Sequence, residues 1–151
     1  MNPNIEVLRK TRHFALNLID GLTEEQLNKI PEGFSNNIIW NLGHLVAAQE
    51  GVCYKRSGVV ANISDEFFHS YKPGSKPEKD ASAEEIAQIK SLLLTSLDDL
   101  ERDHAAGKLI MNPWTTRYGI DINTIDDGIS FLQFHEGLHQ GYITALVKMV
   151  K

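Results

Sequence analysis

The sequence predicts an all-α fold, a four-helix bundle with long connections. Four long stretches repeat apolar residues at helical spacing, each opened by a capping residue. No region is rich in the alternating pattern of strands. The 151 residues suit one domain spanning 1–151.

The first long helix is expected from about Pro3 to Asp20, with Asn2 as cap and Pro3 at the first helical position. Ile5, Leu8, Ala15, Ile19 and Leu22 form its apolar stripe, and Arg12 is the one polar break. Thr23-Glu24-Glu25-Gln26 has the form of a capping box for a short helix, closed by Pro31 and Gly33. Asn36 or Asn37 opens the second long helix, which reaches to about Arg56 before Ser57-Gly58. Val59 to Asp80, with Pro73, Gly74 and Pro77, reads as a long surface loop with one helical turn near Glu66. Ser82 caps the third helix, whose stripe is Ile86, Ile89, Leu93, Leu97 and Leu100, and Gly107 supplies its left-handed cap. Met111 to Asn123 is expected to be an irregular or short extended crossover. Thr124 then starts the last helix, which runs to about Val150.

Composition excludes several classes. No apolar run approaches the roughly 20 residues a bilayer requires, and no basic-then-apolar leader stands at the N-terminus. No membrane partner and a cytoplasmic location are therefore expected. The net charge is −5 with acids and bases interspersed, so no nucleic-acid partner is expected either. A single cysteine, Cys53, excludes an intramolecular disulfide framework and a Cys-rich zinc site. Any metal must be held by nitrogen and oxygen.

Histidines supply the nitrogen. His135 and His139 are four apart in Phe134-His135-Glu136-Gly137-Leu138-His139-Gln140-Gly141, and His44 closes Trp40-Asn41-Leu42-Gly43-His44. Residues four apart on a helix are rotated by about 40° and separated by about 6 Å. Two imidazoles so placed can share one ion, and His44 adds a third if its helix is a neighbour. Trp40 and Ala48 lie one turn to either side of His44, the first as an apolar wall and the second leaving space. Gly43, Gly137 and Gly141 are consistent with room kept near the histidines, or with close helix packing. His13, His69 and His104 lack partners at ligand spacing. Phe67, Phe68 and Tyr71, beside His69, are expected to anchor the long loop to the bundle, the alternative being a lid over the pocket mouth. Asn37, Asn41 and Glu136 are candidates to orient ligand imidazoles.

These segments, with the Pro113-Trp114 to Asp127 crossover, resemble the DinB-like family of metal-dependent enzymes. The order of elements agrees over nearly the whole chain. The resemblance implies a four-helix bundle with a divalent metal on His44, His135 and His139, and a homodimer. Its characterised members include thiol S-transferases that use bacillithiol or mycothiol. In one respect the chain departs from the family pattern: Tyr142 stands where the family often has Gln, a change expected to alter either a contact to a ligand or the pocket wall, and with it the substrate, while leaving the ligands intact.

Three neutral imidazoles leave a divalent ion its charge and an open position, where a thiol or water is acidified. Zn or Ni are the foremost candidates, with Fe, Mn and Cu also compatible. By family analogy the reaction is transfer of a low-molecular-weight thiol to an electrophilic small molecule. The alternatives are a small-molecule metallohydrolase with Glu136 as general base, since His135-Glu136-x-x-His139 has the zincin form, and a non-catalytic metal-binding bundle. Zincins place a third ligand downstream, and no His, Asp or Glu occurs in residues 140–151. Trp114, Arg117 and Tyr118 are candidates for the pocket entrance, and Arg117 suits a carboxylate or phosphate.

Overall fold

The computed structural model describes residues 2–151. Helix α1 spans Pro3–Leu18, α2 Glu24–Asn28, α3 Ile38–Cys53, α4 Asp65–Tyr71, α5 Ala83–Ala105 and α6 Ile125–Val150. Strands β1 (Trp114–Thr115) and β2 (Asp121–Ile122) form a small antiparallel hairpin in the last crossover. Among the described residues no helix is long and apolar enough to cross a membrane.

Cap chemistry places the helix starts. Asn2 accepts from the Asn4 and Ile5 amides, and Ser82 accepts from Glu85 N. Thr23 with Gln26, and Thr124 with Asp127, close reciprocal boxes. These bonds satisfy amides that lack an intrahelical acceptor. Helix α3 stops at Cys53, earlier than expected. A 3-10 turn over Lys55–Ser57 and left-handed Gly58 (φ 67°) follow it.

The expected surface loop is corrected by the structure. Ser64 caps a two-turn helix, α4, whose Phe67 and Tyr71 are buried against the bundle. The anchoring role foreseen for these aromatics creates the helix, because burial of two rings outweighs the weak helix preference of so short a segment.

Long-range bonds define the topology. Helices α1 and α5 run antiparallel, joined by Arg9 to Asp98 and Glu101 and by Arg12 to Leu93 O. Gln49 meets Ser96 and Tyr54 meets Asp103, so α3 and α5 are parallel. Asn41 meets His139 and His44 meets His135, so α3 and α6 are antiparallel. Asn4 meets Gln133 and Arg12 meets Glu136, so α1 and α6 are parallel. The order is therefore up-down-down-up, with α1 opposite α3 and α5 opposite α6 across the bundle. Helix α4 rides on the crossover between the two parallel helices α3 and α5.

A polar layer divides the core in two. Above and below it lie separate apolar clusters, one around Leu42, Val46, Leu93 and Ile143, the other around Leu8, Val52, Leu97 and Leu132. Each long helix contributes one member of the layer: Arg12, Gln49, Ser96 and Glu136. The fully buried Arg12 donates Nε to Glu136 Oε1 at 2.7 Å and Nη1 to Leu93 O at 2.9 Å and to Ser96 Oγ at 3.2 Å. Its Nη2 closes the ion pair with the same carboxylate. Arg12 is the polar break of the α1 stripe, and its partner lies on α6.

Glu50 lies near this layer without a cation. One carboxylate oxygen accepts from Asn62 N at 3.0 Å, and the other has no hydrogen-bond partner among the described residues. Burial pushes its pKa up to about 7. A carboxyl raised above its unfolded value stabilises fully below that value and loses the contribution as pH rises through the folded pKa. Glu50→Gln is therefore expected to gain about 1–3 kcal/mol at about pH 8 and little at about pH 5. Thermal unfolding at the two pH values checks this, and an equal effect at both would contradict it.

Candidate metal centre

The local sequence of α3 presents a row of polar groups toward α6. Asn37 caps the helix by accepting from Trp40 N at 2.7 Å. One turn on, Asn41 donates its amide to Asn37 O at 2.7 Å and to Asn36 Oδ1 at 3.0 Å. Both partners accept only, so Asn41 Oδ1 must face the other way, where it accepts from His139 Nδ1 at 2.8 Å. His44 Nδ1 donates to Tyr71 O at 2.8 Å. Two imidazoles are thereby held as the Nδ1–H tautomer with Nε2 free, the arrangement that metal-binding histidines adopt.

His135 completes the group. Its Nε2 lies 3.0 Å from His44 Nε2, and one donor atom from each of His44, His135 and His139 lies within 4.8 Å of the others. Donors at right angles on an ion at about 2.1 Å sit about 3.0 Å apart. The His44–His135 pair stands at that spacing, and the three together form a group that could hold a divalent ion through neutral nitrogens. His135 Nδ1 is buried with no partner among the described residues, so this ligand lacks the orienting bond of the other two.

Electrostatics favours the neutral ligands. Burial lowers the His44 pKa, with Arg117 adding to it and the Tyr71 carbonyl opposing. Burial, the neighbouring histidines and Arg117 bring His135 down to about 3. Burial, His44 and Arg117 bring His139 down to about 4. All three imidazoles are thus uncharged at neutral pH, the state a ligand requires.

The histidines open on a cavity of about 690 Å³. Trp40 stacks on His44 with ring centroids 4.7 Å apart, and Trp40, Trp114 and Tyr142 all stand in the wall. The β1–β2 hairpin brings Trp114, Arg117 and Tyr118 over the opening, and Phe131 packs edge-on against Trp114. Ala48 also lines the cavity, whereas Cys53 is fully buried on the other side of α3. His13, His69 and His104 lie outside the cluster, and His104 pairs with Asp126 at 2.8 Å.

Two expectations are corrected. Glu136 is not placed to act as a general base. It is 4% exposed, turned into the polar layer onto Arg12, and absent from the cavity wall. A position adjacent to His135 on a helix points about 100° away from it. The glycines do not all keep room for a ligand. A Cβ on Gly43 would lie 2.5 Å from Tyr71 Cδ1, so Gly43 lets α4 approach until its carbonyl reaches His44. Gly137 and Gly141 have nothing within 4 Å of an added Cβ and are not packed at all.

Sequence reasoning missed the Tyr71 carbonyl, a backbone atom with no residue signal, and Lys55 and Arg56 in the wall. The cavity face of α3, Ala48-x-x-Gly51-Val52-x-x-Lys55, continues the His44 face by helical spacing and held the available clue to Lys55.

Asn41→Leu is expected to weaken metal binding by about 10–100-fold while leaving three ligands in place. Competition against a chromogenic chelator measures this, and unchanged affinity would remove Asn41 from the site.

No curated protein matches the chain. The model of the DinB superfamily matches residues 8–143, a span that holds all three histidines, Asn41 and the hairpin. With the helical bundle and the three-histidine group already in view, this match shows that the chain belongs to the DinB superfamily.

Proposed function

We propose that this chain is a metal-dependent transferase that joins a low-molecular-weight thiol to an electrophilic small molecule. The observation that carries this reading is the cavity itself: three neutral imidazole donors open on a mainly aromatic and apolar chamber whose wall has no aspartate or glutamate. Hydrolysis by a carboxylate base finds no base there, since Glu136 is committed to Arg12. Thiol transfer needs none, because the nucleophile is acidified rather than deprotonated by a side chain.

A divalent ion, when bound, supplies Lewis acidity that lowers the pKa of a thiol at its open position. The chain's own residues do the remainder. His44, His135 and His139 present nitrogen lone pairs, and Asn41 and Tyr71 O fix two of those rings. Trp40, Trp114 and Phe131 hold the electrophile and exclude water, which favours attack by sulfur over attack by water.

The test is thiol consumption with chlorodinitrobenzene, in which a sulfur–carbon bond forms, the carbon–chlorine bond breaks, chloride leaves and the thiol proton passes to solvent. Added Zn or Ni is expected to accelerate the reaction above buffer in the wild type and not in His44→Ala. Metal-independent rates across a panel of thiols and electrophiles would contradict the proposal.

A further inference from the structure

The cavity is charged on one side only. Its wall carries Lys55, Arg56 and Arg117 and no acidic residue, in a chain whose net charge is −5. Neither arginine is neutralised: no ion pair of the described residues includes Arg56 or Arg117. Aromatic faces hold them instead. The Arg56 guanidinium lies 4.0 Å from the centre of the Trp114 ring. That of Arg117 lies 5.0 Å from the Tyr118 ring and donates Nη2 to Tyr118 Oη at 3.0 Å. Lys55 sits 4.3 Å over Phe68, and its one carboxylate neighbour, Asp65, is 3.9 Å away and 91% exposed.

A guanidinium stacked on a ring keeps its in-plane N–H groups free for an acceptor. Apolar walls around such groups focus their field on whatever occupies the chamber. Both guanidiniums are exposed, so an anionic ligand would gain charge-assisted hydrogen bonds from them and a cationic one would be repelled.

We propose that the substrate carries an anionic group, a carboxylate or phosphate, which Arg56 and Arg117 bind at the hairpin side of the cavity while its apolar body lies against Trp40 and Trp114. This rests on the cavity being the substrate site, the reading given above. It adds two specificity-determining residues and a substrate class. Arg117, between β1 and β2, and Arg56, on the turn after α3 and stacked on the hairpin's Trp114, supply the two guanidiniums from separate elements.

The chain's two tryptophans both line this cavity, so their fluorescence reports its occupation. The probes are phenylbutyrate, phenylbutyl phosphate and the neutral phenylbutanol, titrated into the metal-free protein. At least one anionic probe is expected to bind about tenfold or more tighter than the alcohol, as charge-assisted hydrogen bonds allow. Whichever anion binds better identifies the group as carboxylate or phosphate. Salt should weaken the anion and spare the alcohol. Arg56→Gln and Arg117→Gln should each reduce the preference, and the double variant should abolish it with the alcohol's affinity unchanged. Anions that bind no better than the alcohol, including binding by none of the three, would overturn the inference, as would a preference that survives in the double variant. An anion preference without metal-dependent thiol consumption would remove the transferase reading alone. Thiol consumption without the preference would remove this one alone.

Discussion

Arg12→Met is expected to destabilise the protein by about 3–5 kcal/mol, because it leaves the Glu136 carboxylate buried without its cation. The magnitude follows from the completeness of the pair. Arg12 is fully buried and Glu136 4% exposed, and the guanidinium also satisfies Leu93 O and Ser96 Oγ. Removing the charge strands two acceptors as well as one anion. For a chain of this length each kcal/mol moves the thermal midpoint by about 2–4 °C, so the loss is roughly 10 °C. Burial pushes the Glu136 carboxyl up, while Arg12 beside it pulls it down. In the variant only the long Thr11 hydroxyl bond (3.4 Å) still opposes burial, so Glu136 takes up a proton more readily. A raised carboxyl pKa costs stability as pH rises, so the defect should shrink under mildly acid conditions. Arg12→Met with Glu136→Leu should recover much of the loss, since an apolar pair can replace a buried ion pair at little cost. A double variant as unstable as the single would contradict this account. Retention of metal-dependent thiol consumption by the double variant would show that Glu136 serves the bundle and not the chemistry.

The second large effect concerns the metal. Zn or Ni added to the metal-free protein at about 100 times its dissociation constant is expected to stabilise the fold by about 2.7 kcal/mol. Binding is directed at the native arrangement, because His44 comes from α3 and the other two ligands from α6, and the unfolded chain does not hold the three together. The stabilisation should vanish in His44→Ala and in His135→Ala. It should also fail below about pH 4, where protons compete for His139, which burial holds at about 4. Thermal shift with and without metal measures this. Equal shifts in wild type and His44→Ala would place the ion elsewhere.

Much of this was legible in the chain. Four helices followed from periodicity and caps, and the ligand set from a helical pair plus a distant His44 in a resembling segment. What escaped had no local signature. Arg12 and Glu136 are 124 residues apart, and each alone looks like an exception to a pattern. Their partnership depends on α1 lying beside α6. The Tyr71 carbonyl could not be read because it belongs to the backbone, and its position depends on Gly43 admitting α4. Gly137 and Gly141 were ambiguous because composition does not distinguish a small residue that packs from one that faces open space. Arg56 follows the end of α3, and only the turn over Lys55–Ser57 and the Trp114 ring direct it to the cavity.

The central claim is that His44, His135 and His139 hold one ion together. Elemental analysis of the purified wild-type protein beside His44→Ala, after the same dialysis, tests it most directly. The account predicts one equivalent of divalent metal per chain in the wild type and a small fraction of that in the variant. Stoichiometric metal in His44→Ala, or none in a wild type supplied with Zn and Ni, would contradict it.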